Sequence, residues 1–447
     1  MERVALACDV GTSSLKTALL DSAGRVLASA RVRFPEARRS ARDWLVAFDG
    51  AVSLLQESLM RSGGSIPGRD RAFPPNAIAI SGNGPTLVAV DSRLEAGPVL
   101  LWNDAVPGAI RGSGSVAGES PASESLFIPR ILAYRDLFPA PYDRARYLLS
   151  GPEYLAWALT GNAATILPEP RFEAAYWTNG SLARAGLEGS RLPPFVPIGH
   201  VMGTVSAARL AALAGTGVSP DRLAALEGIP VVAGGPDFVV ALVGTNTLSP
   251  GTACDRAGTS EGLNVCTGSP VARRSIRTLP SVMSGLWNAS YLLPDTGASF
   301  HAWRIGSARR AKSYPEIMDE IARSPITPKA GEALHPGRAV VERIGFAVRR
   351  GVETLREATG FDGAFALSGG QARNETWNQM KADITGATFA LTSTADGELM
   401  GDAIIAFAAL GSFGSVPEAA GAMVRVARRF EPDPDRHRAY TEKYLKS

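Results

Sequence analysis

Four short stretches of the 447-residue sequence place carboxylates, hydroxyls and glycines where a backbone must turn. Asp9-Val10-Gly11-Thr12-Ser13-Ser14 sets a carboxylate at the end of an apolar run, directly before a hydroxyl-rich turn. Such a turn offers backbone N–H groups and hydroxyls to phosphate oxygens, and its carboxylate can hold a divalent cation directly or through water. An ordinary Asx-type turn fits the same residues. Gly258-Thr259-Ser260 is a second turn of this kind. Asp237 follows Gly234-Gly235-Pro236 and precedes an unbroken apolar run, Phe238 to Val243. A carboxylate among apolar residues is a poor choice for stability unless it is paired or solvated. It suits a general base, and it equally suits the N-cap of a following helix. Ser368-Gly369-Gly370-Gln371-Ala372-Arg373-Asn374 reads as a strand end, a diglycine turn and a helix start. Diglycine lets backbone lie flat against a planar or phosphorylated ligand. Lys16, one of only six lysines, fits either a phosphate contact or the surface of a strand, and the surface is the favoured expectation.

The elements that must position these residues follow from hydrophobic period and turn signals. Strands are expected over 4–9, 15–21 and 25–33 as a meander of hairpins, with Val26, Ala28, Ala30 and Val32 on one face. Trp44, Phe48, Leu55 and Leu59 recur at helical spacing and predict a helix over 41–61. The Gly/Pro-rich 62–75 is a loop, and strands over 77–80 and 87–91 enclose Ser81-Gly82-Asn83-Gly84-Pro85. Residues 113–228 read mostly as helix and loop, with helices over 152–159, 205–213 and 221–226. A buried strand over 229–233 leads to 237–243, a helix or a further strand. In the second half, strands over 251–257 and 262–267 bracket the second turn. A helix over 338–359, a strand over 363–367 and helices near 375–385 and 398–410 follow. The Gly-Thr-Ser of 11–13 thus returns at 258–260 in the same strand–turn–strand setting, which suggests two domains of similar plan, 1–247 and 248–447.

Composition narrows the class. Apolar residues make 45% and charged residues 20% of the chain, so a large core is available and disorder on composition grounds is excluded. Forty-six basic against 43 acidic residues leave a net charge of +3, and the arginines are scattered, so no nucleic-acid footprint emerges. Cys8, Cys254 and Cys266 form no CxxC and no metal-ligand spacing. No targeting segment or membrane span is read, since the longest apolar stretch, 229–244, falls short of a span and contains Asp237. A cytoplasmic protein without membrane or nucleic-acid partners is expected. Neither a P-loop GxxxxGK[ST] nor a Rossmann GxGxxG occurs.

Taken in order, the motifs resemble those of the FGGY carbohydrate kinases, over most of the chain. Asp9 to Asp21 is similar to that family's first phosphate motif. Gly234-Gly235-Pro236-Asp237 is similar to its Gly-x-x-Asp, Ala257-Gly258-Thr259-Ser260 to its second phosphate motif, and Leu367-Ser368-Gly369-Gly370 with Asn374 to its adenosine motif. Leu101-Trp102-Asn103-Asp104 and 153–161 are smaller echoes. The resemblance implies an α/β fold of two RNase H-like (actin-like ATPase) domains flanking a nucleotide and sugar cleft. It implies ATP and Mg²⁺, with Asp9 positioning the metal, and Gly11, Thr12, Ser13, Gly258 and Thr259 around the triphosphate. Gly369, Gly370 and Asn374 would line the adenosine. Asn83, Gly84, Asp104 and Asp237 would meet the acceptor, with Asp237 as catalytic base. The implied reaction is transfer of the γ-phosphate of ATP to a hydroxyl of a small sugar or polyol, a ketopentose such as xylulose foremost; a homodimer is left open.

Three departures from the family pattern bear on the acceptor. The acceptor loop reads Ser81-Gly82-Asn83-Gly84-Pro85-Thr86, with Asn83 its one strongly bonding side chain. Residues 164–171 differ from the family's usual segment, and 303–340 looks short. They motivate the alternative of a non-catalytic ATP- and sugar-binding regulatory paralogue.

Overall fold

The computed structural model describes residues 3–35, 39–61, 73–91, 96–106, 125–328 and 332–446, so most of the loop expected at 62–75 lies outside the described residues. The chain forms two compact units. The first comprises Met1–Gly244 and Glu398–Met423, the second Thr245–Gly397 and Val424–Ser447.

In the first unit, β1 (Val4–Val10) is buried along its whole length. It reads as a continuous apolar run because both faces of its sheet are covered. β2 (Ser14–Asp21) folds back antiparallel, and β3 (Val26–Arg33) pairs with β2. β4 (Ala77–Gly82) runs parallel to β1 on its other side, with Asp9 opposite Ser81. β5 (Val201–Thr204) and β6 (Pro230–Pro236) complete the order β5-β6-β4-β1-β2-β3. The helix expected at 41–61 forms as α1 (Ala41–Arg61) and buries Trp44, Phe48 and Leu55. α2 (Gly151–Thr160) starts at a capping box of Ser150 and Glu153 and ends at left-handed Gly161, so both ends are set by sequence. The ambiguous 237–243 becomes α3 (Asp237–Gly244).

One strand face differs from expectation. Ala28, Ala30 and Val32 lean inward, but Val26 is 43% exposed. The β2–β3 register shifts between Leu19 and Leu20, and this bulge turns Val26 to the opposite face.

The second unit repeats the plan. β7 (Ala253–Ala257) and β8 (Glu261–Thr267) form a hairpin, and β9 (Trp287–Leu293) pairs antiparallel with β8. β10 (Phe365–Ser368) is parallel to β7, β11 (Phe389–Thr392) parallel to β10, and β12 (Val426–Phe430) antiparallel to β11. Strand for strand, neighbours and directions match β1–β2–β3 and β4–β6–β5 of the first sheet; a short strand, Arg277–Pro280, is added beyond β9. Both units are RNase H-like α/β domains. α4 (Arg338–Thr359) and α5 (Glu375–Thr385) pack on this sheet's unit, with α5 capped by Asn374.

The chain does not divide at a single point near 247. It returns to the first unit along α6 (Gly397–Ala409), and two contacts show why. A Cβ on Gly401 would lie 2.0 Å from the Val240 carbonyl oxygen of α3, so helix and helix are in backbone contact. Asp402 accepts a 2.7 Å hydrogen bond from Ser81 Oγ on β4. Among the described residues, no helix is long and apolar enough to cross a membrane.

Candidate active site

The carboxyl ends of the parallel strands β1, β4 and β6 lie side by side, the position where open α/β sheets bind ligands. Register puts Asp9 beside Ser81 and Ser81 beside Gly235, and α3 starts two residues after Gly235 at Asp237. Asp9 is buried, and across the hairpin Lys16 is its paired residue. Lys16 Nζ sits 3.1 Å from Asp9 Oδ2 and 4.0 Å from Glu398. The expectation of a surface role for Lys16 is therefore corrected: antiparallel register turns its ammonium onto the carboxylate. Burial pushes the Asp9 pKa up to about 6; Lys16 opposes this, while the charges of Glu398 and Asp237 add to it. Asp237 and Asp9 are thus within electrostatic reach. Asp9 Oδ1 is buried and makes no hydrogen bond among the described residues.

The turn after Asp9 closes through the Gly11 N–H to Ser14 O at 3.1 Å. Ser13 at its tip is exposed. Thr12 Oγ1 accepts from Asn83 Nδ2 (3.2 Å) and from Trp102 Nε1 (2.8 Å), which ties the phosphate-type turn to the acceptor loop. Asn83 Oδ1 in turn accepts from Thr86. Gly84 has open space where a side chain would point. Asp104 stands apart from this group: its carboxylate accepts the Leu101 N–H at 2.7 Å and closes its own turn. Trp102 is the residue of that loop that reaches Thr12.

Gly234 and Gly235 are required by packing. A Cβ on Gly234 would lie 2.3 Å from Asp402 Oδ1 and 2.6 Å from Ile80 O, and Gly235 has φ +129. Neither neighbour of Gly234 can retreat, since one is backbone and the other is held by Ser81. Gly234→Ala is expected to cost about 1–3 kcal/mol of stability through overpacking, seen as a lower Tm than that of the wild type.

In the second unit, Gly258 N–H closes its turn on Ser260 O at 2.8 Å. Gly369, at φ +92, presses on β7: a Cβ there would meet Ala257 O at 2.5 Å. Gln371 Nε2 donates to Gly258 O (2.8 Å) and its Oε1 accepts from Trp377 Nε1 (3.0 Å). The first bond ties the Gly258 turn to Gln371, the residue after Gly370. Thr259 accepts the Ala298 N–H through its carbonyl, and Asn374 Oδ1 caps α5 by accepting the Trp377 N–H.

Directly below this turn lies a charged group that sequence reasoning missed. Lys381 of α5 bonds Asp255 on β7 and Glu261 on β8, the latter at 2.9 Å, and all three side chains are fully buried. Burial and the Glu261 charge push Asp255 up to about 8, against the pull of Lys381. A carboxyl raised in the fold keeps its proton where the unfolded chain has lost it, so its contribution to stability is full below pH ~4 and is lost as pH rises through about 8. Asp255→Asn is expected to flatten that decline; Tm measured from pH 4 to 8 on both proteins checks it.

Comparison with known proteins bears on the fold and the family. Residues 317–410 match the FGGY family of carbohydrate kinases, C-terminal domain. Relatives span nearly the whole length of the chain: a xylulose kinase of Bacillus subtilis is 24% identical over 95% of this chain and 92% of its own. The chain also shares its fold with a xyloylose kinase from Brucella ovis (TM-score 0.71, 19% identity, 99% and 98% of the two chains). A Plasmodium falciparum glycerol kinase with ADP gives a TM-score of 0.73 at 15% identity, covering 100% and 97%. The fold is thus the actin-like ATPase fold of the sugar kinases, and enzymes of this family are phosphotransferases with an alcohol acceptor.

Proposed function

We propose that this chain is an ATP-dependent carbohydrate kinase that moves the γ-phosphate of ATP to a hydroxyl of a small sugar or polyol. Xylulose is the reference acceptor, because the Bacillus subtilis relative is named for it. The observation that carries the reading is the meeting of Asp9, the Gly11–Ser13 turn and Asp237 at the ends of β1, β4 and β6.

Asp237 is the proposed base. Its carboxylate takes the proton of the acceptor hydroxyl as that oxygen bonds the γ-phosphorus; the bond from phosphorus to the bridging oxygen breaks and ADP leaves. Gly11, Thr12 and Ser13 offer N–H and hydroxyl donors to the phosphate. Asn83 and Gly84 border the acceptor, and Asp104 shapes the loop that brings Trp102 to Thr12. Nucleotide contacts in the second unit are assigned to Gly258, Thr259, Gly369, Gly370 and Asn374.

The donor set also fits Mg²⁺. Among the described residues no group of three or more His, Cys, Asp or Glu could hold a metal ion alone. Mg²⁺ at phosphate sites asks for less, one or two carboxylates with waters and phosphate oxygens. The buried Asp9 Oδ1 without a hydrogen bond supplies such a ligand. Bound Mg²⁺ would neutralise charge on the triphosphate. Lys16 holds the other Asp9 oxygen and so fixes the carboxylate's orientation.

A coupled ADP-release assay with MgATP and a panel of ketoses, aldoses and polyols tests the reading. Acceptor-stimulated release is expected. Nucleotide binding with no stimulation by any panel member would instead favour a non-catalytic binding protein.

A further inference from the structure

The buried Lys381, Asp255 and Glu261 belong to a ring of contacts that closes around the Gly258-Thr259-Ser260 turn, wholly within the second unit. Asp255 stands three residues before the turn on β7, and Glu261 follows the turn directly as the first residue of β8. Both roots of the hairpin therefore meet one ammonium, that of Lys381 on α5. The same Nζ lies 5.5 Å from the centre of the Trp377 ring, one helical turn earlier on α5, and 5.4 Å from that of Phe389 on β11. Trp377 Nε1 donates to Gln371 Oε1 at 3.0 Å, and Gln371 Nε2 donates to Gly258 O at 2.8 Å, which returns the ring to the turn. Asn374 is fixed to the ring because its Oδ1 accepts the Trp377 N–H at 3.0 Å. The ring thus links the turn proposed to meet phosphate with the residue proposed to line adenosine.

Apolar side chains of similar volume are often as stable as a buried ion pair, so stability alone does not account for three charges here. Apolar contact is non-directional, whereas charge-assisted hydrogen bonds fix the geometry of their partners. We propose that Lys381 is a positioning residue of the nucleotide site: by holding Asp255 and Glu261 at the base of the hairpin, it sets the Gly258–Ser260 turn relative to Asn374, so that one nucleotide meets both together. This rests on the assignment of nucleotide contacts to the second unit. Lys381 is fully buried and acts through the turn.

The test uses two variants of the full chain. One carries Asp255→Leu, Glu261→Leu and Lys381→Met together, which removes the charges and leaves no carboxylate unpaired. The other, Gln371→Met, opens the ring at its far side and leaves the buried charges in place. Calorimetry measures binding of ADP and of adenosine, urea unfolding measures stability, and hydrogen exchange reads the 257–262 segment. Both variants are expected to exchange faster at the turn and to bind ADP about 10–100-fold more weakly, the loss seen when partners that orient ligating groups are removed at metal sites. Adenosine affinity should fall less than ADP affinity, a split that a general loss of stability would not produce. ADP affinity and turn exchange unchanged in either folded variant would overturn the inference, and Gln371→Met decides it if the triple variant does not fold. Faster exchange at the turn in a chain whose wild type binds no ADP would support the brace and remove the nucleotide assignment.

Discussion

Asp237→Asn is expected to lower acceptor-dependent ADP release by about 10²–10⁴-fold, the usual contribution of a positioned general base. The amide keeps the size and hydrogen-bonding outline of the carboxylate but cannot take the hydroxyl proton. Asp237 opens α3 at the carboxyl end of β6, two residues after Gly235, which pairs with Ser81 in register. Its backbone is therefore fixed by the sheet, and the substitution leaves strand pairing and core untouched. Nucleotide affinity and Tm should stay near wild-type values, so the loss should fall on kcat. A variant that turned over acceptor at the wild-type rate would remove Asp237 from the chemistry.

Lys381→Met should produce the largest loss of stability. The change leaves Asp255 and Glu261 buried together without their shared cation, and removing one partner of a buried ion pair costs about 3–5 kcal/mol. Lys381 itself is held protonated by the two carboxylates, against the effect of burial. Replacing all three side chains with apolar residues of similar volume should restore most of the stability, since buried ion pairs are often near neutral against apolar packing. Urea unfolding of wild type, single and triple variants checks both statements. A single variant as stable as the wild type would mean that the Lys381 ammonium is not coupled to the two carboxyl groups as their geometry indicates.

Much of the frame was legible in the sequence because apolar runs and turn residues report directly on it. The helices at Ala41–Arg61 and Arg338–Thr359 follow from period alone, and the repeated strand–turn–strand openings correspond to two sheets with the same strand order. Local pattern failed where register or tertiary contact decides. Val26 faces outward because its own strand bulges at Leu27, an offset that only the pairing with β2 reveals. Lys16 meets Asp9 only when the hairpin pairs them, although their spacing around a tight turn carried that information. Ser81 with Asp402, and Lys381 with Asp255 and Glu261, join residues more than a hundred positions apart, and in sequence each looks like an ordinary polar residue. In sequence the glycines at 234 and 235 read as a turn; their tighter reason is the side chain and backbone that press on them at the end of β6.

The central claim is phosphoryl transfer to an alcohol. Its most direct measurement is mass spectrometry of acceptor after incubation with the full chain and MgATP, using the panel of ketoses, aldoses and polyols. The account expects a phosphorylated acceptor formed in step with ADP, and its loss in Asp237→Asn. ADP formed with no phosphorylated acceptor from any probe, or product undiminished in the Asp237 variant, would contradict it.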